Sequence, residues 1–141
     1  MTDDAIAEFL ASLSDLQALG IDFCFSVTKG SVPAIKRLSN LKHIGLPATR
    51  IQGSACVEIY SALPLLTHVF IHADQFTREM ADYVRGSTRI TRFETHDASN
   101  ANVRKIRAAP HLVELLLFCY SKVDSVESAT WRELPDRLTK S

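Results

Sequence analysis

Apolar residues recur along the chain in one spacing, L-x-x-L-x-L, whose copies begin near residues 16, 41, 66, 90 and 112. The intervals between these starts are 25, 25, 24 and 22 residues. The third copy lies in LLTHVFIHADQF, residues 65–76, where Val69 and Ile71 alternate with polar or aromatic residues. Strict alternation over such a short run predicts a β-strand with one buried face. Five short strands at nearly equal intervals predict an internal repeat.

A second apolar pattern precedes each predicted strand. Counting back nine, six and three residues from a start gives mostly small or apolar residues, such as Val32, Ile35 and Leu38 before the strand at 41. A three-residue step is the spacing of the inward stripe of a short helix or 3₁₀ segment. Each repeat is therefore predicted to contain a strand, a turn and a helix. An N-terminal capping helix is expected at about residues 4–13.

The length of the repeat restricts how its strands can be joined. Strand–helix units this short connect parallel strands through right-handed crossovers, and no single unit can bury its own apolar face. Residues 1–141 are therefore expected to form one α/β domain, a curved solenoid with about five parallel strands on the concave face and helices outside. Leu41, Leu66 and Ile90 should stack in one core, on strands that are direct neighbours. Three alternatives exist for the last edge: a helix in VESATWRELPDRL, residues 126–138, covers it, a partner at the C-terminal end covers it, or the chain belongs to a longer assembly.

The unit L-x-x-L-x-L followed by a polar or cysteine position resembles the leucine-rich repeat. In that family the side chain at the polar position bonds to the backbone of a neighbouring turn, and the matching residues here are Cys24, Thr49 and Asp74. The match is weaker in the fourth and fifth copies, which carry Ala98 and Tyr120. The period is most similar to intracellular members of the ribonuclease-inhibitor-like and F-box-associated types. The resemblance implies a leucine-rich-repeat-like solenoid that acts as a non-catalytic adaptor, with substrate recognition for a ubiquitin ligase as one version.

Composition and charge narrow the class of partner. The chain has 16 basic and 16 acidic residues and a formal net charge of zero, which argues against a dedicated nucleic-acid binder. Its start, MTDDAIAEFL, lacks the features of a signal peptide, and its longest mostly apolar run, HLVELLLFCY, is too short to cross a bilayer. Three cysteines without metal-type spacing fit reduced thiols. We therefore expect a cytoplasmic protein that binds another protein, binds neither nucleic acid nor a membrane, and has no cofactor.

Strand residues between the apolar positions should face the concave side, because successive side chains alternate faces. This rule places four of the five histidines on that surface, together with charged and aromatic side chains. A contiguous exposed apolar surface with a charged rim usually marks a protein contact. The predicted partner-binding residues are Phe70, Leu116 and Phe118, rimmed by Arg92, Glu94 and Glu114 and joined by His68, His72 and His96.

The histidines also raise an enzymatic alternative, a metal-dependent hydrolase that uses His72, His96 and Glu94. Residues four apart along a strand are separated by about 13 Å, while neighbouring strands lie about 4.8 Å apart. His68 and His72 therefore cannot share one ion, and any histidine pair must form across strands, as His43 with His68 or His72 with His96. A zinc site needs three or four ligands. We therefore expect no metal site and no catalytic residue.

A regulatory alternative is a doubly wound α/β domain of the sulfate-transporter or anti-sigma-antagonist type, which has a similar length and a similar alternation of strands and helices. Such a domain would need a phosphorylatable serine at the start of a helix, and Ser31 and Ser54 are the candidates. Strand order separates the two hypotheses. Sequential order favours the solenoid, whereas a reordered sheet favours the regulatory domain.

Overall fold

The computed structural model describes residues 1–96 and 98–118. These residues have an α/β architecture with one parallel sheet, five α-helices and two short 3₁₀ turns. The strands are β1 Ala18–Gly20, β2 His43–Gly45, β3 His68–His72, β4 Arg92–His96 and β5 Glu114–Phe118. The helices are α1 Asp3–Leu10, α2 Val32–Lys36, α3 Gly53–Ala62, α4 Arg78–Gly86 and α5 Asn100–Ile106, and the 3₁₀ turns are Lys29–Ser31 and Ala73–Gln75.

The strands follow one another in the sheet in the order of the chain, β1-β2-β3-β4-β5, and each neighbouring pair is parallel. Consecutive helices contact one another from α1 to α5, so they form a second layer against the sheet. Each strand–helix unit therefore packs beside the next unit in sequence. This is the order expected for stacked repeats and differs from the reordered sheet that the regulatory alternative requires.

The apolar core lies between the sheet and the helix layer. Leu41, Leu66 and Ile90 are all buried in this core and precede adjacent parallel strands, so their predicted stacking is confirmed. Each of these side chains stabilises the fold by about 1.5–3 kcal/mol through removal of apolar surface from water. Val69 and Phe93, which are paired in register on β3 and β4, continue the core along the strands.

The predicted helix stripe is confirmed in α2, where Val32 and Ile35 are buried. Before the strand at 16 the same count selects Ala7, Leu10 and Leu13, and this stripe is only partly right. Leu10 is buried and Leu13 packs against the core, but Ala7 is exposed and Ile6 is buried instead. Helix α1 also ends at Leu10 rather than near residue 13. A four-residue step suits a regular α-helix better than the three-residue step that the shorter segments follow.

Adjacent repeats approach each other closely at the start of α3. A Cβ atom added to Gly53 would lie 2.6 Å from the carbonyl oxygen of Gln75 and 2.7 Å from Oγ1 of Thr77. Thr77 caps α4 by accepting a hydrogen bond from the backbone N–H of Met80. Only glycine therefore lets α3 begin against the turn that starts the next helix.

The polar positions that match the leucine-rich repeat differ in how they bond. Thr49 is buried, and its Oγ1 donates to the carbonyl of Leu46 at 3.0 Å and accepts from the N–H of Ile51 at 3.3 Å. The thiol of Cys24 donates to the carbonyl of Asp22 at 3.4 Å. Both side chains therefore bond to the backbone within their own turns.

At the third position the expected bonding role passes to the next residue. Asp74 is exposed and pairs with the Nδ1 of His72 at 2.8 Å, so it does not bond to a neighbouring turn. Gln75 is only 2% exposed, and its Nε2 donates to the carbonyls of Leu46 at 2.9 Å and Ile51 at 2.8 Å. Its Oε1 accepts from the N–H of His72 at 2.9 Å. Strand β3 runs directly into a 3₁₀ turn, which moves the buried polar position one residue along the chain.

The described chain ends at β5. Val113 and Phe118 are exposed there, and Leu116 is half-buried, so β5 is not buried on both faces. The predicted last helix, residues 126–138, lies outside the described residues, as do Cys119, Tyr120 and Trp131. Within residues 1–96 and 98–118 there is no helix with the length and apolar character needed to span a bilayer.

Candidate functional site

All nine predicted binding residues lie on the sheet surface that faces away from the helices, which is the side predicted to be concave. We call this sheet surface the outer face. Its side chains are half-buried or exposed, whereas residues between them on the same strands, such as Val69 and Thr95, are buried. Whether these side chains bind a partner stays a prediction, but their placement on one surface is a structural finding. In register across β3, β4 and β5, they form three rows: His68–Arg92–Glu114, Phe70–Glu94–Leu116 and His72–His96–Phe118.

A small ion cluster occupies the first two rows. The guanidinium of Arg92 lies 3.2 Å from a carboxylate oxygen of Glu94 and 3.3 Å from one of Glu114. All three side chains are partly exposed, so water screens these pairs and their contribution to stability is small. Two carboxylates share one guanidinium, which leaves this part of the outer face with a net negative charge.

An aromatic cluster lies beside these ions, with His96 at its centre. The ring centroid of His96 is 4.9 Å from that of Phe70, 5.2 Å from that of Phe118 and 6.1 Å from that of His72. These separations are typical of attractive ring pairs. The rings therefore form one continuous patch over three strands, and Phe118 at its margin is 39% exposed.

The other two histidines of the outer face form a second pair on β2 and β3. His43 and His68 are direct partners in register, and their ring centroids are 4.1 Å apart. The Oγ1 of Thr67 lies 2.7 Å from Nδ1 of His68. Burial lowers the pKa of His68 below its ordinary value, and the neighbouring His43 and Arg92 lower it further. This environment favours the neutral imidazole at physiological pH.

The histidine pairs bear on the hydrolase alternative. The predicted cross-strand pairing of His72 with His96 is confirmed by the register of β3 and β4. In the part of the chain that the structure describes, no group of three or more His, Cys, Asp or Glu side chains is arranged to hold a metal ion. Glu94, the third residue of the proposed hydrolase site, lies against Arg92, and His72 lies against Asp74.

The two serines of the regulatory alternative have different environments. Ser31 is fully buried, and its Oγ donates to a carboxylate oxygen of Asp3 at 2.6 Å. Ser54 lies in the first turn of α3 and is exposed. Of the two, Ser54 is therefore the one accessible to a modifying enzyme in this structure.

Two cavities open on the outer face and share Phe70 and Glu94 as wall residues. The first is a groove of about 380 Å³ over β1 to β4, with Gly20 and Gly45 on its first two strands. The second, which we call the aromatic cavity, has a volume of about 510 Å³ and lies at the carboxyl ends of the strands. It is lined by Asp22, Phe23, Pro47, Ala48, Phe70, His72, Glu94, His96 and Phe118.

Phe23 and Ala48, in the turns after β1 and β2, line this cavity although the repeat pattern does not predict a role for them. Both have left-handed backbone conformations, with φ angles of 53° and 57°. Phe23 is also 71% exposed, although it is a large apolar side chain. Glycine or asparagine would have signalled a positive φ, and phenylalanine and alanine give no such signal. The available clue was positional, because each lies seven residues after a repeat start.

Comparisons of the sequence with known proteins find neither a matching protein-family model nor a matching curated protein. A function for this chain is therefore inferred from the geometry of the outer face. The residues that matter most to it are those of the aromatic cluster and of the ion cluster beside it.

Proposed function

We propose that this protein is a leucine-rich-repeat-like solenoid that serves in the cytoplasm as a non-catalytic protein-binding module or adaptor. Five parallel strands in chain order, a helix layer and a repeat of about 25 residues support the solenoid assignment. Substrate recognition for a ubiquitin ligase is one version of the adaptor role, and the family resemblance suggests it.

One observation carries the binding proposal: a continuous aromatic patch lies on the side of the sheet away from the helices. A buried core explains large apolar side chains on the inner face, but it does not explain the exposed ring of Phe118 next to His96 and Phe70. Contiguous apolar surface of this kind marks protein contacts, and aromatic side chains often dominate their energetics.

The scaffold suits a binding surface because the rings project from paired strands. Strands β3, β4 and β5 are paired in parallel and hold Phe70, His96 and Phe118 in two neighbouring rows. Side chains on such a scaffold lose less freedom on binding than side chains on a mobile loop, which favours affinity. We propose a second contact at the C-terminal end of the stack, where Val113 beside β5 is exposed.

The test is a selection from a phage-displayed random dodecapeptide library on the immobilised wild-type protein and on the Phe118→Asp variant. Affinities of synthetic copies of the enriched peptides are then measured by fluorescence anisotropy. Burial of a phenylalanine side chain contributes about 1.5–3 kcal/mol, so Phe118→Asp should weaken binding by at least about tenfold. Its circular dichroism spectrum should match that of the wild type, because Phe118 is exposed.

The matched control is Glu58→Lys, on the helix side. Glu58 is exposed in α3 and pairs with Lys36 at 3.0 Å, so its charge reversal changes the surface without touching the outer face. It should leave peptide affinity unchanged. Loss of binding in Glu58→Lys but not in Phe118→Asp would show that the peptide binds to the helix side of the protein. Unfolding of Phe118→Asp would show that this residue belongs to the core.

A further inference from the structure

We propose that the aromatic cavity recognises a lysine or arginine side chain carried by an extended peptide segment of the partner. This inference rests on the proposed function, that the outer face binds protein, and adds the chemistry of the partner. The cavity volume of about 510 Å³ is large enough to accept one long side chain together with flanking groups.

The lining combines aromatic rings with carboxylates. A cation placed over a ring face is attracted by the ring quadrupole, and a carboxylate nearby adds a charge-assisted hydrogen bond. Lysine and arginine also have long apolar stems, which can lie along the rings while the charged end reaches the acidic groups. The rings come from Phe23, Phe70, His72, His96 and Phe118, and the carboxylates come from Asp22 and Glu94.

The charge of the site favours a basic ligand. Among the described residues that line the aromatic cavity, two are acidic and none is lysine or arginine. The guanidinium of Arg92 sits in the next row and contacts both Glu94 and Glu114. The one guanidinium and the two carboxylates together have a net negative charge, and Asp22 adds a further negative charge at the cavity wall. An acidic peptide would be repelled here.

The adjoining groove explains why we propose a peptide rather than a small cation. It shares Phe70 and Glu94 with the aromatic cavity, and Gly20 leaves its β1 end open to an extended backbone, while at Gly45 the ring of Phe70 already lies against the strand. A Cβ atom added at Gly20 would meet nothing within 4 Å. Five strands spaced about 4.8 Å apart span about 19 Å, which is the length of about six extended residues.

Phe23 supplies an independent observation. Its backbone is held at a φ of 53°, a conformation that bulky residues rarely adopt, and its ring is largely exposed at the cavity wall. Backbone strain of this kind concentrates at functional sites, where the surrounding structure maintains it. Phe23 does not fill the core, and it holds its turn in a strained backbone conformation. Both features are explained if its ring forms one side of a binding site.

The experiment uses the enriched peptides from the same library. We expect them to share one lysine or arginine, and its replacement by glutamine should weaken binding to the wild type by about tenfold or more. Asp22→Asn and Glu94→Gln should each weaken binding of the basic peptide and have much less effect on the glutamine peptide. This difference isolates the contact between the cation and the carboxylates. Glu58→Gln, a matched neutralisation on the helix side, should change neither affinity.

A second arm separates the role of Phe23 from a general effect on folding. Phe23→Gly removes the ring and relieves the backbone strain, so its melting temperature should equal or exceed that of the wild type while its peptide affinity falls. The control is Phe25→Gly, which removes another exposed phenylalanine from the same loop; Phe25 does not line the aromatic cavity, so this variant should keep its affinity. If Phe23→Gly and the wild type bound the peptide with equal affinity, Phe23 would not be part of the binding site.

The outcomes distinguish this proposal from the one on which it rests. Enriched peptides that depend on Phe118 but lack a common basic residue would overturn the basic-side-chain proposal and leave the protein-binding role standing. A basic residue whose replacement has no effect would do the same. A library that yields no peptide able to distinguish the wild type from Phe118→Asp would overturn both proposals.

Discussion

Replacing Gln75 with leucine tests how the repeats are held together. The amide of Gln75 is 2% exposed and lies between two successive repeats. Its Nε2 donates to the carbonyls of Leu46 and Ile51, and its Oε1 accepts from the N–H of His72. Leucine has a similar volume but none of these bonds. The substitution therefore removes the polar link between repeats without leaving a large cavity.

The magnitude follows from what each former partner retains. The carbonyl of Leu46 still accepts from Oγ1 of Thr49 at 3.0 Å, so it stays bonded. The N–H of His72 loses its side-chain acceptor, and the carbonyl of Ile51 keeps only the thiol of Cys56 at 3.8 Å. A buried polar group left without a partner costs about 1–3 kcal/mol. Two such groups, partly offset by the apolar leucine, should lower the free energy of unfolding by about 2–4 kcal/mol.

The measurement is urea denaturation followed by circular dichroism, with Asp74→Ala as the control. Asp74 occupies the position that the repeat pattern selects, but its side chain is 71% exposed and its partner is a half-exposed His72 ring. Loss of an exposed ion pair costs at most about 1 kcal/mol. If Asp74→Ala destabilised the protein more than Gln75→Leu, the residue that links the turns would be the one predicted from the pattern, and the role assigned to Gln75 would be refuted.

Three further predictions concern the core, the first helix and the buried thiol. Leu66→Ala should lower the free energy of unfolding by about 2–4 kcal/mol through cavity formation, and a loss below about 0.5 kcal/mol in urea denaturation would show that Leu66 is not core. Burial alone would raise the pKa of Asp3, but hydrogen bonds from Ser31 and Thr28 outweigh it and hold that pKa below its ordinary value. The stability that the Asp3 carboxylate adds is therefore present above pH of about 4 and is lost as the pH falls through the lowered pKa. The difference in unfolding free energy between the wild type and Asp3→Asn should shrink in acid. A difference that does not change with pH would contradict this. Burial raises the pKa of the Cys56 thiol to about 12, so iodoacetamide should label the half-buried Cys24 long before Cys56 in native protein, and equal labelling rates by mass spectrometry would be evidence against this burial.

The order of the strands and the faces of their residues could be predicted because the core imposes a strict period. A shift of one residue along a strand would exchange buried and exposed side chains, so positions such as Leu41, Leu66 and Val69 leave little freedom. The same constraint assigns Phe70 and His96 to the outer face from their spacing alone. Periodicity therefore carries information about both faces of a strand, including the one that faces water.

The conformations of the turns could not be predicted because their local geometry does not have to follow the repeat. The 3₁₀ turn after β3 moves the buried polar side chain from Asp74 to Gln75, a change that no apolar period encodes. The left-handed backbone at Phe23 and Ala48 has no signal in residue type, since neither residue favours that conformation. The aromatic cavity depends on these turns, so the sequence could indicate its strand residues but not its wall at Phe23.

The fifth position of each repeat shows how a repeated sequence can produce a directional surface. That position is occupied by glycine on β1 and β2 and by Phe70, Glu94 and Leu116 on β3 to β5. Because the strands are in register, this change from absent to large side chains makes the outer face lower along this row over the first two strands than over the last three, although the ring of His43 projects from the neighbouring row on β2. The groove follows the low part, and the aromatic cavity begins where the first large ring, that of Phe70, rises from the sheet. A partner segment laid across the strands would therefore meet the groove first and the negatively charged aromatic cavity second, which would give such an interaction a direction as well as a position.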